Sequence, residues 1–189
     1  MVDVSAKPVS ARRAVAEATV KMDQDTLTLI IDGQGPKGDV LSVAELAGIM
    51  AAKRTAELIP LCHPLALTDV GVEITPDRRA GTLVITASAA TSAQTGVEME
   101  AMTAASIAAL TVYDMVKSVD RFVTITAVRL LEKSGGKSGP WRRPAATARG
   151  RAGAADVASD APGAAPSTAA AAPAPPKRAR SPRKPGRKP

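Results

Sequence analysis

One cysteine, one histidine and three aromatic residues in 189 positions leave several kinds of chemistry without the side chains they need. Cys62, alone, excludes an internal disulfide framework, a thiolate zinc site and a protein-ligated iron–sulfur cluster, each of which takes several sulfurs. That points away from redox chemistry on the protein. A zinc site built on His63 and Cys62 would lack half its ligands. No apolar run approaches the roughly eighteen residues of a membrane-spanning helix, and the N-terminal MVDVSAKPVSARR carries no hydrophobic stretch of signal-peptide kind. The expected address is the cytoplasm. With Tyr113 and Phe122 the only aromatics before residue 141, the core has to be filled by small aliphatic side chains, and assembly into an oligomer would help to stabilise it.

Charge is divided unevenly. Residues 1–140 hold 14 Lys and Arg against 16 Asp and Glu, a net of −2, whereas residues 141–189 hold 11 against 2, a net of +9. From Trp141 onward the composition is Ala, Pro, Gly, Ser, Lys and Arg, ending KRARSPRKPGRKP, with nothing to build a core. The sequence therefore predicts a single domain over 1–140 and a disordered basic tail over 141–189. The tail could contact nucleic acid through counterion release, but no aromatic after Trp141 offers a stacking surface. Its plainer reading is a solvated extension without a specific partner.

Within residues 1–140 the periodicities predict the order ββαββαβ. Ala16–Met22 and Thr26–Ile31 read as strands joined by a turn at residues 23–25, and a glycine-rich loop, DGQGPKGD, follows at 32–39. Ser42 with Glu45 reads as a capping box opening a helix to about Leu58. Strands are expected from Leu67 and over Thr82–Ala90, a long buried helix over Val97–Ser118, a strand over Phe122–Leu131 and a basic loop over 133–139. Helices alternating with antiparallel hairpins predict an α+β protein, a ferredoxin-like two-layer sandwich with helices on one face of the sheet.

Several residues could carry chemistry. The segment ending GGKS at Ser138 is not a phosphate-binding P-loop, because position 131 would have to be glycine and is leucine. Lys133 and Lys137 can still meet a phosphate as point charges. His63, between Cys62 and Pro64, is either a proton carrier or a structural histidine. Asp114 and Lys117 lie three apart on one helix face, and their apolar neighbours suggest a packed turn in which such a pair can be tuned for acid–base work. Glu98 and Glu100 complement the dipole at the start of the same helix, or accept hydrogen bonds from a guanine-like edge. Lys37 sits in a loop whose glycines permit close approach to a ligand. Glu100 and Asp114 are fourteen residues apart, about 21 Å along a helix axis, so one small ligand would meet both only if two subunits shared a site.

The segments MVDVSAK, GPKGDV, AAKRTAELIPLCHPL, TGVEMEAMTAAS, LTVYDMVK and RLLEKSGGKSG, in order over residues 1 to about 139, together resemble the MoaC family, the cyclic pyranopterin monophosphate synthases of molybdenum-cofactor biosynthesis. The resemblance implies a lyase that rearranges 3′,8-cyclo-7,8-dihydro-GTP to cyclic pyranopterin monophosphate with release of pyrophosphate. It implies no obligatory cofactor and no protein-bound metal, and leaves open whether Mg²⁺ accompanies the triphosphate. A homohexamer, a trimer of dimers with pockets between subunits, is also implied. By motif, Lys37, Asp114 and Lys117 fall on catalytic positions. Leu61, Cys62, His63, Glu98, Met99 and Glu100 fall on substrate-binding positions, joined by Arg12 and Lys133 as phosphate binders. A reading from another class is a non-catalytic nucleotide sensor tethered to nucleic acid by the tail.

Overall fold

A computed structural model describes residues 1–144; the expectation of a disordered tail lies, from residue 145 on, outside the described residues. Five strands, β1 (Ser10–Lys21), β2 (Leu67–Asp77), β3 (Thr82–Ala93), β4 (Thr124–Ser134) and β5 (Trp141–Arg142), form one antiparallel sheet in the order β2-β3-β1-β4-β5. Helices α1 (Gln24–Ile31), α2 (Val40–Ala52) and α3 (Thr55–Leu58) connect β1 to β2, and α4 (Glu98–Val116) connects β3 to β4. The order of the first four strands is the ferredoxin-like arrangement that the sequence predicts.

Alternation along the strands explains the two layers. On β1 the side chains of Ala14, Ala16, Ala18 and Val20 are fully buried, while the intervening Val15, Glu17 and Thr19 are only partly so, as a pleat with one covered face requires. Ile85, Ala87 and Ala89 of β3 continue the buried stripe, and Ala101, Ala104, Ala105 and Ala108 of α4 meet it. Alanine against alanine brings α4 close to the sheet. That is how a core almost without aromatics closes. The same economy of side chain lets α2 approach α4, where a Cβ on Gly48 would sit 2.9 Å from the Ala104 carbonyl oxygen.

Five local expectations are corrected. Thr26–Ile31, read as a strand, is part of α1: Leu27 and Ile30 are buried three residues apart, and Asp23 begins the helix in extended conformation. The first hairpin is thus absent. The cap of α2 is Asp39, not Ser42, because the Asp39 carboxylate accepts the Ser42 N–H at 3.0 Å and starts the helix almost a turn earlier. The helix also stops at Ala52 and restarts at Thr55, whose buried hydroxyl donates to the Ala52 carbonyl at 3.0 Å. β4 runs on to Ser134, so Lys133 is held by a strand rather than a loop. Finally, Trp141 and Arg142 pair with Lys133 and Glu132, which moves these residues from the tail into the sheet.

Candidate active site

Helix α4 carries a cluster at each end. At its C-terminal end Asp114 stands between two ammonium groups: Oδ2 accepts from Lys37 Nζ at 2.7 Å and Oδ1 from Lys117 Nζ at 2.6 Å. Lys37 lies two residues before Asp39, the N-cap of α2. Hydrogen bonds from Lys117 and then Lys37 hold the Asp114 carboxyl down at about 2, and the Asp114 carboxylate in turn pushes the Lys117 ammonium above its ordinary value. Lys117 is therefore firmly an ammonium at neutral pH, a fixed positive charge and a weaker acid for as long as Asp114 holds it. The turn is wetter than its neighbours suggest. Val112, Met115 and Val116 are buried, but the side chains of Asp114 and Lys117 project from the opposite side and are about half exposed.

At the N-terminal end of α4 the charges are paired differently. Glu98 Oε1 meets Lys133 Nζ at 2.9 Å, and Lys133 also donates to the Ser138 hydroxyl at 3.3 Å. Arg12 reaches to the end of β3: its Nε and Nη2 donate to the carbonyl oxygens of Ala93 and Gln94 at 3.0 and 3.1 Å. Its Nη1 is turned toward Gly136, where a Cβ would overlap it, and Gly136 itself has φ +75°. Only glycine suits that position.

Glu100 is buried, and burial raises its carboxyl above the ordinary value, with the charge of Glu98 adding to the rise. Cys62 is pushed up by burial and then by the charge of Glu100. Leu61 is exposed, Met99 is partly so, and His63 lies within electrostatic reach of Asp3, whose carboxyl is lowered chiefly by hydrogen bonds from Ser5 and less by the histidine.

The structure thus brings Lys37 to Asp114 and Lys117, and Lys133 to Glu98; Arg12, Cys62 and Glu100 stand at the second cluster's end of α4. It does not join the two clusters within one chain. Sequence reasoning missed the groups that set these side chains in place. Gln94 holds Arg12 through its carbonyl and donates from Nε2 to the carbonyls of Ser5 and Lys7, both at 3.0 Å. Ser138 steadies Lys133. Polarity on a turn gave no signal for either.

Ammonium, guanidinium and carboxylate groups in close pairs, without a sulfur or imidazole cluster, are the equipment of an acid–base enzyme that handles an anionic substrate. The family comparison gives the particular one: the model described as the MoaC family matches residues 1–136, and the chain belongs to that family. Among its relatives, a protein of Chloroflexus aurantiacus named cyclic pyranopterin monophosphate synthase is 60% identical over 144 residues, 76% of this chain and 88% of the relative. Proteins of the same name from Cereibacter sphaeroides and Brucella ovis are 59% and 58% identical, covering 91% and 86% of their own lengths.

Proposed function

We propose that the chain is a cyclic pyranopterin monophosphate synthase of molybdenum-cofactor biosynthesis, converting 3′,8-cyclo-7,8-dihydro-GTP to cyclic pyranopterin monophosphate and pyrophosphate. The observation that carries this reading is the Lys37–Asp114–Lys117 cluster, which lies wholly within the residues matched to the family. Opening and reclosing rings on a reduced guanine moves protons between nitrogen and carbon centres without net oxidation. Lys117 is held as an ammonium by Asp114, which makes it a weaker acid; it gives its proton once the substrate draws it off that carboxylate, and once neutral it can take one back. Lys37 shares the same carboxylate and works beside it. Glu98 and Glu100 accept from the N–H edge of the base, with Met99 and the Leu61–His63 loop closing the wall. Arg12 and Lys133 offset phosphate charge as pyrophosphate leaves.

The reaction asks for no redox cofactor. Among the described residues no three His, Cys, Asp or Glu side chains gather as a metal site, and a Mg²⁺ travelling with the triphosphate would be held through phosphate oxygens. Among the same residues no helix is long and apolar enough to cross a membrane, and a GTP-derived substrate fits a cytoplasmic enzyme.

The pocket is completed by a second copy of the chain. Two features support this: the clusters stand about 21 Å apart along α4, and Val43, Leu46 and Met50 form an exposed apolar stripe on α2, with Leu58 and Leu110 also exposed. A hexamer built as a trimer of dimers would cover that stripe. The test is to incubate the purified chain with the cyclised GTP and follow pyrophosphate and the cyclic product together. Binding without turnover would favour a nucleotide-sensing module instead.

A further inference from the structure

Two carboxylates are buried among the described residues, Glu100 and Asp120. Glu100 belongs to the second cluster, whereas Asp120, 5% exposed, belongs to neither. Among the same residues no Lys or Arg side chain pairs with it. Taking a carboxylate out of water is costly, and without a cation the cost is offset only by hydrogen bonds to its oxygens. Both oxygens have one. Oδ1 accepts the Phe122 N–H at 2.8 Å, and Oδ2 accepts the Asp23 N–H at 3.2 Å from a segment 97 positions away.

These two contacts lead to the two lysines of the first cluster. On one side Asp120 closes the end of α4, because its own N–H and that of Val119 donate to the Val116 carbonyl at 3.0 and 2.9 Å. Lys117 lies inside that closed turn, with helical backbone and its N–H donating to the Tyr113 carbonyl at 2.9 Å. On the other side Asp23 is the N-cap of α1 and makes no side-chain cap of its own. The Asp120 carboxylate stands at that helix end, where negative charge is favoured. Helix α1 then runs to Ile31 and into the 32–39 loop that carries Lys37.

Resting on the proposed activity, we infer that Asp120 is a positioning residue, whose carboxylate ties the turn after Lys117 to the start of α1 and so fixes the directions from which Lys117 and Lys37 reach Asp114. It touches no substrate and moves no proton. The three side chains of the cluster are about half exposed, so water competes for their ion pairs and the backbone beneath has to supply the order. Order matters there, since displacing a catalytic group by about 1 Å can cost on the order of a hundredfold in rate. Lys117, three residues from Asp120, depends on the tie more directly than Lys37.

The experiment uses the full chain with Asp120→Asn, which keeps one accepting oxygen and sets an amide NH2 against the other N–H. Melting curves verify that the variant is folded. It should lower kcat on the cyclised GTP by about ten- to a hundredfold, with KM little changed. In the same variant the Asp114 midpoint, followed through its carboxyl carbon, should rise from about 2 toward 3.8. In a Lys117→Ala background Asp120→Asn should cost less than in the wild type, because its main target is gone. Wild-type kcat with the midpoint still near 2 overturns the positioning role and leaves a staple of the fold. A fall in kcat with the midpoint unmoved also overturns it, because the effect would not pass through the cluster. Asp120→Glu, which carries the charge and both acceptors one methylene further, gives the same readings should the amide variant fail to fold. A midpoint moved by either variant, in a protein whose wild type leaves the cyclised GTP unchanged, upholds the tie and overturns the assigned reaction.

Discussion

Lys37 and Asp114, 77 positions apart in the chain, meet at 2.7 Å, and the contact closes a bridge whose other half is the 2.6 Å pair of Asp114 with Lys117. One carboxylate therefore serves two lysines that arrive from different elements, a loop before α2 and the C-cap of α4. An ordinary exposed ion pair would be worth little to the fold. Its value lies in the protonation state it imposes. Asp114→Ala and Lys117→Ala should each lower turnover by about 10²- to 10⁴-fold while leaving assembly, read by size-exclusion chromatography, unchanged. Near-normal turnover in either would reduce the cluster to a surface ion pair.

The same cluster predicts a titration. Asp114 should ionise at about 2, and its midpoint should rise toward the ordinary carboxylate value in Lys117→Ala and, by a smaller step, in Lys37→Ala, in the order of their contributions. A folded-state value below the unfolded one means that the linked stability is present above the unfolded value of 3.8 and is lost as pH falls toward 2. Carboxyl carbon resonances followed against pH read the midpoint directly. A midpoint near 3.8 in the wild type would refute the bridge in solution.

Glu100 has the opposite sign. Burial raises its carboxyl, so ionising it costs the folded state, and the cost is absent below the unfolded value and grows as pH rises through the folded one. Glu100→Gln should melt at a higher temperature than wild type at pH 7 and at the same temperature near pH 4, while losing activity. A variant that is less stable at pH 7 would show that the charge is satisfied by a partner subunit.

A shared pocket predicts complementation between defective chains. Glu100→Ala and Lys117→Ala, each inactive, should regain a fraction of wild-type activity when mixed under conditions that exchange subunits, because some pockets then draw an intact Glu100 from one chain and an intact Lys117 from the other. Exchange proved by mass with no recovery would mean that both residues act from the same chain or that neither pocket tolerates the mixture.

The candidate site was far more legible than its arrangement. Lys37, Asp114 and Lys117 stand out by residue type, and the three-residue spacing of the last two already puts them on one face. That Lys37 would cross to Asp114, or Lys133 to Glu98, depends on contacts between distant segments that no local pattern encodes. Among the elements, β3 and α4 announce themselves by long, regular periods, while of β1 only the second half is read, the strand beginning at Ser10 rather than Ala16. α1 does not: its eight residues are rich in threonine, leucine and isoleucine, which suits a strand as well as a helix, and only the burial of Leu27 and Ile30 against the core decides it. At α2 the sequence offers two caps three residues apart, and the carboxylate of Asp39 wins.

Trp141 is the chain's single tryptophan, and β5 sets it in register with Lys133. Directly opposed residues on antiparallel strands project from the same face, and the Arg143 guanidinium lies 5.9 Å from the ring centroid. The indole, open to water on the edge strand, therefore projects from the same helix-covered face as Ala14 and Lys133, beside the Lys133 end of the site. Emission excited at the tryptophan band becomes a built-in optical gauge of events at Lys133. It will follow ligand arrival and the fraying of one edge strand, and the melting of the alanine core has to be watched by circular dichroism.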